Sequence, residues 1–181
     1  MRVISGERRG KKLKELPGEG TRPTTDRVKE SIFNIIQFDV PGRRVLDLFG
    51  GTGQMGIEAL SRGAAHCTFV DLHRDAAAVI RENLKATGMT ERATVIQGDA
   101  LAFLGSAKEP FDLIFLDPPY STGLLEKTLK FIAAIDIVSK NGIMVCESSL
   151  EETLPELDEP YAWGREYRYG KSKVTICHRT A

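Results

Sequence analysis

Asp117-Pro118-Pro119-Tyr120 is the segment of this chain best suited to chemistry on a flat ring that carries an amine. An exocyclic amine on a heterocyclic base is a weak nucleophile, because its lone pair is delocalised into the ring. The Asp117 carboxylate and the Pro118 carbonyl can accept the two amine hydrogens, which turns the nitrogen toward tetrahedral geometry and stabilises its developing positive charge. Alignment of that nitrogen with an electrophilic methyl group is then positional catalysis.

The other residues of this motif favour a stiff platform for a base. Each proline fixes its backbone φ angle and removes an N–H group. The Tyr120 ring offers a face on which an unpaired or flipped-out base can stack. The alternative is a plain turn after a strand, since Asp and Pro are common turn formers.

A glycine-rich turn precedes this motif in the chain. Gly51-x-Gly53-x-x-Gly56 matches a nucleotide-binding turn between a strand and a helix, and Asp71 ends the next predicted strand 20 positions after Gly51. Glycines let the backbone approach a nucleoside closely, and Asp71 can accept both ribose hydroxyls. These features serve NAD and S-adenosylmethionine equally.

Two details favour S-adenosylmethionine over a dinucleotide. Asp47 opens Asp47-Leu48-Phe49-Gly50-Gly51-Thr52-Gly53, where a dinucleotide loop has apolar residues and needs no acid. Its carboxylate can hold a cationic amino group directly or through water, although capping of the loop is an alternative role. The Asp-Pro-Pro-Tyr motif, moreover, is one that a dehydrogenase does not need.

A third acidic position follows the third predicted strand, in Gly98-Asp99-Ala100. Asp99 can accept a hydrogen bond from an adenine amino group. It can equally cap the N-terminus of a short helix over residues 100–105.

Alternating strands and helices must position these residues. Periodicity predicts strands at 45–49, 67–71, 93–96, 111–116, 142–146 and near 162–168 and 173–178, with helices at 26–37, 54–62, 74–86, 100–105 and 123–135. This order is typical of a doubly wound α/β sheet, parallel in its centre and antiparallel at one edge. We expect a single domain over 1–181, made of a basic hairpin or arm (1–22) with two short strands and a catalytic core (23–181).

Composition bounds the class of protein. The 181 residues are 41% hydrophobic and 28% charged, which indicates one globular domain. No apolar run is long enough to span a bilayer and no secretory signal is visible, so we expect a cytoplasmic protein without a membrane partner. The three cysteines form no close pair, so we predict neither a disulfide nor a metal site.

Charge is distributed unevenly along the chain. The net charge is zero, but residues 1–30 and 161–181 each carry a net charge of +4 and the intervening residues a net charge of −8. Basic ends around an acidic centre could bind phosphates, and two solvated charged termini would give the same numbers.

Taken together, these motifs resemble the bacterial 16S ribosomal RNA guanine-N2 methyltransferases of the RsmD type, over nearly the whole chain. Four segments carry the resemblance: Arg22-Pro23-Thr24-Thr25-Asp26-Arg27-Val28-Lys29-Glu30, residues 47–64, residues 111–120, and Tyr169-Gly170-Lys171-Ser172-Lys173. It implies a Rossmann-like class I methyltransferase fold with seven strands, the last antiparallel. It also implies methyl transfer from S-adenosylmethionine to a guanine 2-amino group of the small ribosomal subunit.

The resemblance assigns roles residue by residue. The cofactor positions are Asp47, Phe49, Gly50, Gly51, Gly53, Asp71, Asp99 and Ala100, and the catalytic positions are Asp117, Pro118, Pro119 and Tyr120. The RNA-binding positions expected on the two basic ends are Arg8, Arg9, Lys11, Lys12, Arg22, Arg168, Lys171 and Lys173. Lys29 is expected either to face the site or to be solvated on its helix.

Three other functions compete with this interpretation. A DNA adenine-N6 methyltransferase shares the Asp-Pro-Pro-Tyr motif but usually needs an added target-recognition segment. A non-catalytic RNA-binding module or ribosome assembly factor would not need the intact Asp117 and cofactor loop. An NAD enzyme shares the glycine loop and Asp71 but needs neither Asp47 nor the Asp-Pro-Pro-Tyr motif.

Overall fold

The computed structural model describes residues 1–18 and 24–180. Its helices are α1 (Asp26–Ile35), α2 (Gln54–Ser61), α3 (Arg74–Thr87), α4 (Ala100–Ser106) and α5 (Leu124–Ile135). Its strands are β1 (Arg44–Asp47), β2 (His66–Asp71), β3 (Ala93–Gln97), β4 (Phe111–Leu116), β5 (Val138–Ser149), β6 (Tyr161–Tyr169) and β7 (Ser172–Arg179).

The seven strands form one sheet in the order β3-β2-β1-β4-β5-β7-β6. Strands β1 to β5 pair in parallel, whereas β7 lies antiparallel between β5 and β6. This confirms the predicted doubly wound sheet with an antiparallel last strand. The strand order reverses at β1, and open α/β sheets bind ligands at such a reversal, outside the carboxyl ends of the strands.

Both faces of the sheet are covered, which explains the apolar sequences of its central strands. One core cluster includes Phe33 of α1, Ile57 of α2 and Ile80 of α3. The opposite cluster includes Leu104 of α4 and Leu129 of α5. No helix within the described ranges is long and apolar enough to cross a membrane.

The largest departure from the predicted elements is β5. It begins at Val138 rather than at residue 142 and continues to Ser149 rather than to 146. The exposed Lys140 and Asn141 resemble a loop in the sequence, and the pairing of β4 with β5 shifts register between Phe111 and Leu113. Because of this local irregularity, the sequence pattern does not reveal the beginning of β5, which pairing with β4 stabilises.

Residues 1–18 of the N-terminal arm pair with themselves as the predicted hairpin, although the pairing amounts to an isolated bridge rather than to two regular strands. An isolated bridge joins Arg2 to Lys12, and Val3 lies in the core. The tip of the arm contacts Ser61, because the Glu7 N–H donates to the Ser61 carbonyl at 2.8 Å and the Arg8 N–H to its hydroxyl at 2.9 Å. Ser61 ends α2, so the tip lies at the amino ends of the strands, away from the glycine loop.

A buried carboxylate anchors the arm to α2. The Glu58 side chain is fully buried and accepts from the N–H groups of Ile4 at 2.8 Å and Ser5 at 3.0 Å. The fully buried Lys29 ammonium lies 3.7 Å from Glu58 and donates to the Arg2 carbonyl at 2.6 Å. Both expectations for Lys29 were wrong: it neither faces the site nor meets solvent, but stabilises the arm.

Replacing Glu58 by Ala should lower the free energy of unfolding by about 3–5 kcal/mol, because it leaves the buried Lys29 ammonium without its counter-charge and two partly buried backbone N–H groups without their acceptor. Urea denaturation measures this. Glu7→Ala is the matched control, since Glu7 forms only an exposed 3.5 Å ion pair with Arg92 and its loss should cost less than about 1 kcal/mol. Equal losses in the two variants would contradict this role of Glu58.

Candidate active site

Four carboxyl groups meet at the carboxyl edge of the sheet. Asp47 and Asp71 end β1 and β2, Asp117 follows β4, and Glu147 lies near the end of β5. Within residues 1–18 and 24–180, none of these four forms an ion pair with Lys or Arg. The edge therefore concentrates negative charge and hydrogen-bond acceptors, a set that suits cations and N–H donors.

The glycine loop is shaped by backbone conformation and by helix packing. Gly51 and Gly53 adopt φ angles of 59° and 81°, in the left-handed region that favours glycine. A Cβ atom on Gly56 would collide with the Phe69 ring and with the Cys67 sulfur. The first two glycines thus form the turn, and the third allows α2 to pack closely on β2.

Asp71 stabilises the backbone of the glycine loop and of the turn after β2 through both of its carboxylate oxygens. Its Oδ2 accepts from the Gly51 N–H and its Oδ1 from the His73 N–H, both at 2.9 Å. An ionised carboxylate has about four lone-pair sites, so each oxygen keeps capacity for a further donor such as a ribose hydroxyl. Next to it, Leu72 is 60% exposed and offers an apolar surface that sequence reasoning missed.

Asp47 lies beneath the loop and is only 4% exposed. Its Oδ2 accepts from the Gly56 N–H at 3.1 Å, so the loop-capping role exists in the structure. Burial raises the pKa of Asp47 to about 7, against the effect of the Gly56 hydrogen bond, and the Asp71 charge adds to the rise. Near neutral pH this carboxyl is therefore poised to ionise when a cation approaches.

Asp99 caps α4. Its Oδ2 accepts from the Ala102 N–H at 2.9 Å, so the capping alternative holds while the exposed side chain stays open to a ligand. The remaining predicted cofactor positions lie at the same edge: the Gly50 N–H donates to the Val70 carbonyl at 2.9 Å, and Phe49 and Ala100 pack on one core cluster.

The Asp-Pro-Pro-Tyr turn is hydrogen-bonded to the end of β5 and to the segment that follows it. The Tyr120 hydroxyl donates to Glu147 Oε1 at 3.0 Å. Ser121 adopts the left-handed conformation, with a φ angle of 59°, and its N–H donates to the Glu152 carboxylate at 2.9 Å. Side chains from outside the motif therefore add to the stiffness that the prolines provide.

Glu147 is the site residue that sequence reasoning missed. Leu116 pairs with Cys146, so the next residues, Asp117 and Glu147, are neighbours, and their carboxyls hydrogen-bond each other. Burial and the neighbouring Glu147 raise the pKa of Asp117 well above its usual value. Burial also raises the pKa of Glu147, although hydrogen bonds from Tyr120, Asp117 and Thr24 oppose that rise.

The C-terminal basic residues separate into exposed and buried ones. Arg168 and Lys171 are exposed near the turn between β6 and β7, and Ser172 pairs with Ser149 at the carboxyl end of β5. This turn therefore lies at the same edge as Asp117. Lys173 is only 7% exposed, and its ammonium donates to the Glu152 carbonyl at 2.6 Å.

The N-terminal basic residues lie mostly away from this edge. The Arg8 guanidinium donates to the Thr87 carbonyl at 2.6 Å, at the end of α3 remote from the glycine loop. Arg9, Lys11 and Lys12 are exposed along the arm. Arg22 lies outside the described residues. The described part of the chain contains no group of three or more His, Cys, Asp and Glu residues that could hold a metal ion.

Comparisons with known proteins place this site in a family. The model of the family described as conserved hypothetical protein 95 matches residues 1–178. YlbH of Bacillus subtilis is 44% identical over 179 residues, which are 97% of each chain. Ribosomal RNA small subunit methyltransferase D of Escherichia coli is 34% identical over 181 residues, 100% of this chain and 91% of that protein.

A solved structure agrees with the sequence comparisons. That of yhhF from Escherichia coli superposes with a TM-score of 0.89 at 33% identity and covers 99% of this chain and 98% of that one. The chain therefore belongs to the conserved hypothetical protein 95 family, together with the ribosomal RNA small subunit methyltransferases D.

Proposed function

We propose that this protein transfers a methyl group from S-adenosylmethionine to the exocyclic N2 amine of a guanine in 16S ribosomal RNA, in the cytoplasm. The observation that carries the proposal is the group of acidic side chains around Asp117 and the glycine loop, at the strand-order reversal. The naming of full-length relatives as ribosomal RNA small subunit methyltransferases supports the choice of substrate.

The cofactor pocket proposed here uses the residues of three strand ends. The Asp47 carboxylate holds the amino group, Asp71 accepts from the ribose, and Asp99 faces the adenine. These groups fit a cationic nucleoside because the carboxyls crowd together without a basic partner among the described residues. Bound S-adenosylmethionine supplies an electrophilic methyl group on a positively charged sulfur.

The chemical step needs acceptors for the amine rather than a strong base. Asp117 and the Pro118 carbonyl accept the two N2 hydrogens, and the Tyr120 ring supports the base. S-adenosylmethionine held by Asp47 and Asp71 would supply the methyl group to that nitrogen, and its sulfur would keep the electron pair of the broken S–C bond. The nitrogen, now positively charged, releases one proton to the Asp117 carboxylate, which passes it to solvent.

The decisive experiment compares acceptors with labelled S-adenosylmethionine. Small ribosomal subunits and naked 16S RNA are the test substrates, duplex DNA is the comparison, and nucleoside analysis identifies the product. We expect N2-methylguanosine in RNA. Label in DNA adenine alone would overturn the proposal.

Within the same assay, Asp117→Ala should lower the rate of methyl transfer by roughly 10²–10³, because the amine loses its charged acceptor. Asp117→Asn is the matched variant. It keeps an oxygen acceptor without the charge, so its rate of methyl transfer should lie between the rates of the wild type and of Asp117→Ala. Cofactor affinity, followed by calorimetry, should change little in either variant. Retained methylation in Asp117→Ala would contradict the catalytic role.

Affinity for S-adenosylmethionine should fall as the pH drops through about 7. Asp47 binds the amino group only when ionised, and burial raises its pKa to about 7. The affinity gained from that carboxylate is therefore complete above this pH, and the Kd should rise up to about tenfold per pH unit below it. Calorimetry between about pH 8 and pH 5.5 measures the slope. Asp47→Asn should bind weakly with a flat profile, and a flat wild-type profile would exclude this role.

RNA binding should depend on the exposed basic residues at the site edge. Replacing Arg168 and Lys171 by Ala should reduce the slope of log K against log salt by about 2, one for each lost phosphate contact. Lys108→Ala with Lys140→Ala removes the same charge from the opposite end of β4 and β5 and should leave the slope unchanged. Equal salt slopes in the two double variants would contradict the proposal that RNA binds at the edge of the sheet that carries Arg168 and Lys171.

A further inference from the structure

Glu147 lies beside Asp117, but no step of the proposed methyl transfer uses its carboxyl group. It follows Cys146, the register partner of Leu116, so its carboxyl lies next to that of Asp117. The two carboxyls interact directly, and this proximity adds to the effect of burial in raising the pKa of Asp117. Donors of N–H groups at this place would satisfy both carboxyls and relieve their repulsion.

Two contacts fix the position of Glu147. The Tyr120 hydroxyl donates to its Oε1 at 3.0 Å, and Thr24, one residue before the N-cap of α1, also donates to this half-buried carboxylate. A carboxylate has roughly four lone-pair sites, and the hydroxyls of Tyr120 and Thr24 occupy two of them. The carboxylate also interacts with Asp117, where the proposed function places the base amine.

We propose that Glu147 selects guanine by accepting the N1–H of the base while Asp117 accepts from the adjacent 2-amino group. This inference rests on the proposed function. Guanine is the base that presents an N–H of the ring directly beside its exocyclic amine. Two carboxyls on neighbouring strands match these two neighbouring donors.

The same geometry rejects the other amine-bearing bases. Adenine and cytosine place a ring nitrogen with a lone pair beside the amine, so that lone pair would face the Glu147 carboxylate. A polar site that leaves its buried acceptor without a donor discriminates strongly, because the mismatched groups lose their solvation and gain no hydrogen bond. Glu147 thus separates a guanine-N2 enzyme from an adenine-N6 enzyme with the same Asp-Pro-Pro-Tyr motif.

The test uses RNA with 2-aminopurine at the guanine that the wild-type enzyme methylates. This base keeps the 2-amino group but carries a lone pair at N1. The wild type should prefer guanine in kcat/KM by roughly a hundredfold or more. In Glu147→Gln the amide can donate to that lone pair, so the guanine preference should fall at least about tenfold, with faster methylation of 2-aminopurine than by wild type.

The preference is a ratio within each enzyme preparation, so it does not depend on how much of a variant folds. Tyr120→Phe is the control, because it removes the hydrogen bond to Glu147 but keeps the carboxylate; it should change the ratio less than Glu147→Gln does. A wild-type ratio in Glu147→Gln, or an equal change in both variants, would overturn the inference. Absence of methylated guanine with wild-type enzyme would instead overturn the proposed function.

Discussion

Repulsion between carboxyl groups at the carboxyl edge of the sheet is the constraint on which the rest of the site depends. Parallel strands bring Asp47, Asp71, Asp117 and Glu147 together, and burial removes the water that would screen them. No basic side chain among the described residues compensates them. Protonation relieves the repulsion in part, and a positively charged ligand relieves it without loss of the acceptors. This favours a sulfonium nucleoside with an amino group over NAD, whose pyrophosphate would add negative charge.

The same constraint explains which parts of the site could be predicted from the sequence. Asp117 and the glycine loop are predictable because their sequence neighbours are prolines and glycines, which the local backbone requires. Asp71 is predictable from its spacing to the loop. The alternation of strands and helices likewise predicts a parallel central sheet whose carboxyl edge brings these residues together.

Residues whose role comes from distant contacts could not be predicted in this way. Glu147 becomes part of the site only through the register of β4 with β5, beyond the point where the predicted strand ended. Lys29 and Lys173 read as surface charges, yet each donates to a backbone carbonyl inside the fold. Charge counting along the chain cannot distinguish such residues from Lys171, which is exposed at the edge. Some basic residues of the two chain ends therefore stabilise the fold, whereas others are exposed.

The carboxylates that order the glycine loop are the same ones that would bind the ligand. Asp71 holds the Gly51 N–H and Asp47 holds the Gly56 N–H, so both acids shape the loop that would touch the cofactor. A substitution at either position therefore removes a loop constraint and a ligand contact together. The loss of affinity in such a variant exceeds the value of the direct contact, because the loop must then be ordered at the expense of binding energy. The acids of this edge therefore act as preorganising elements as much as binding groups.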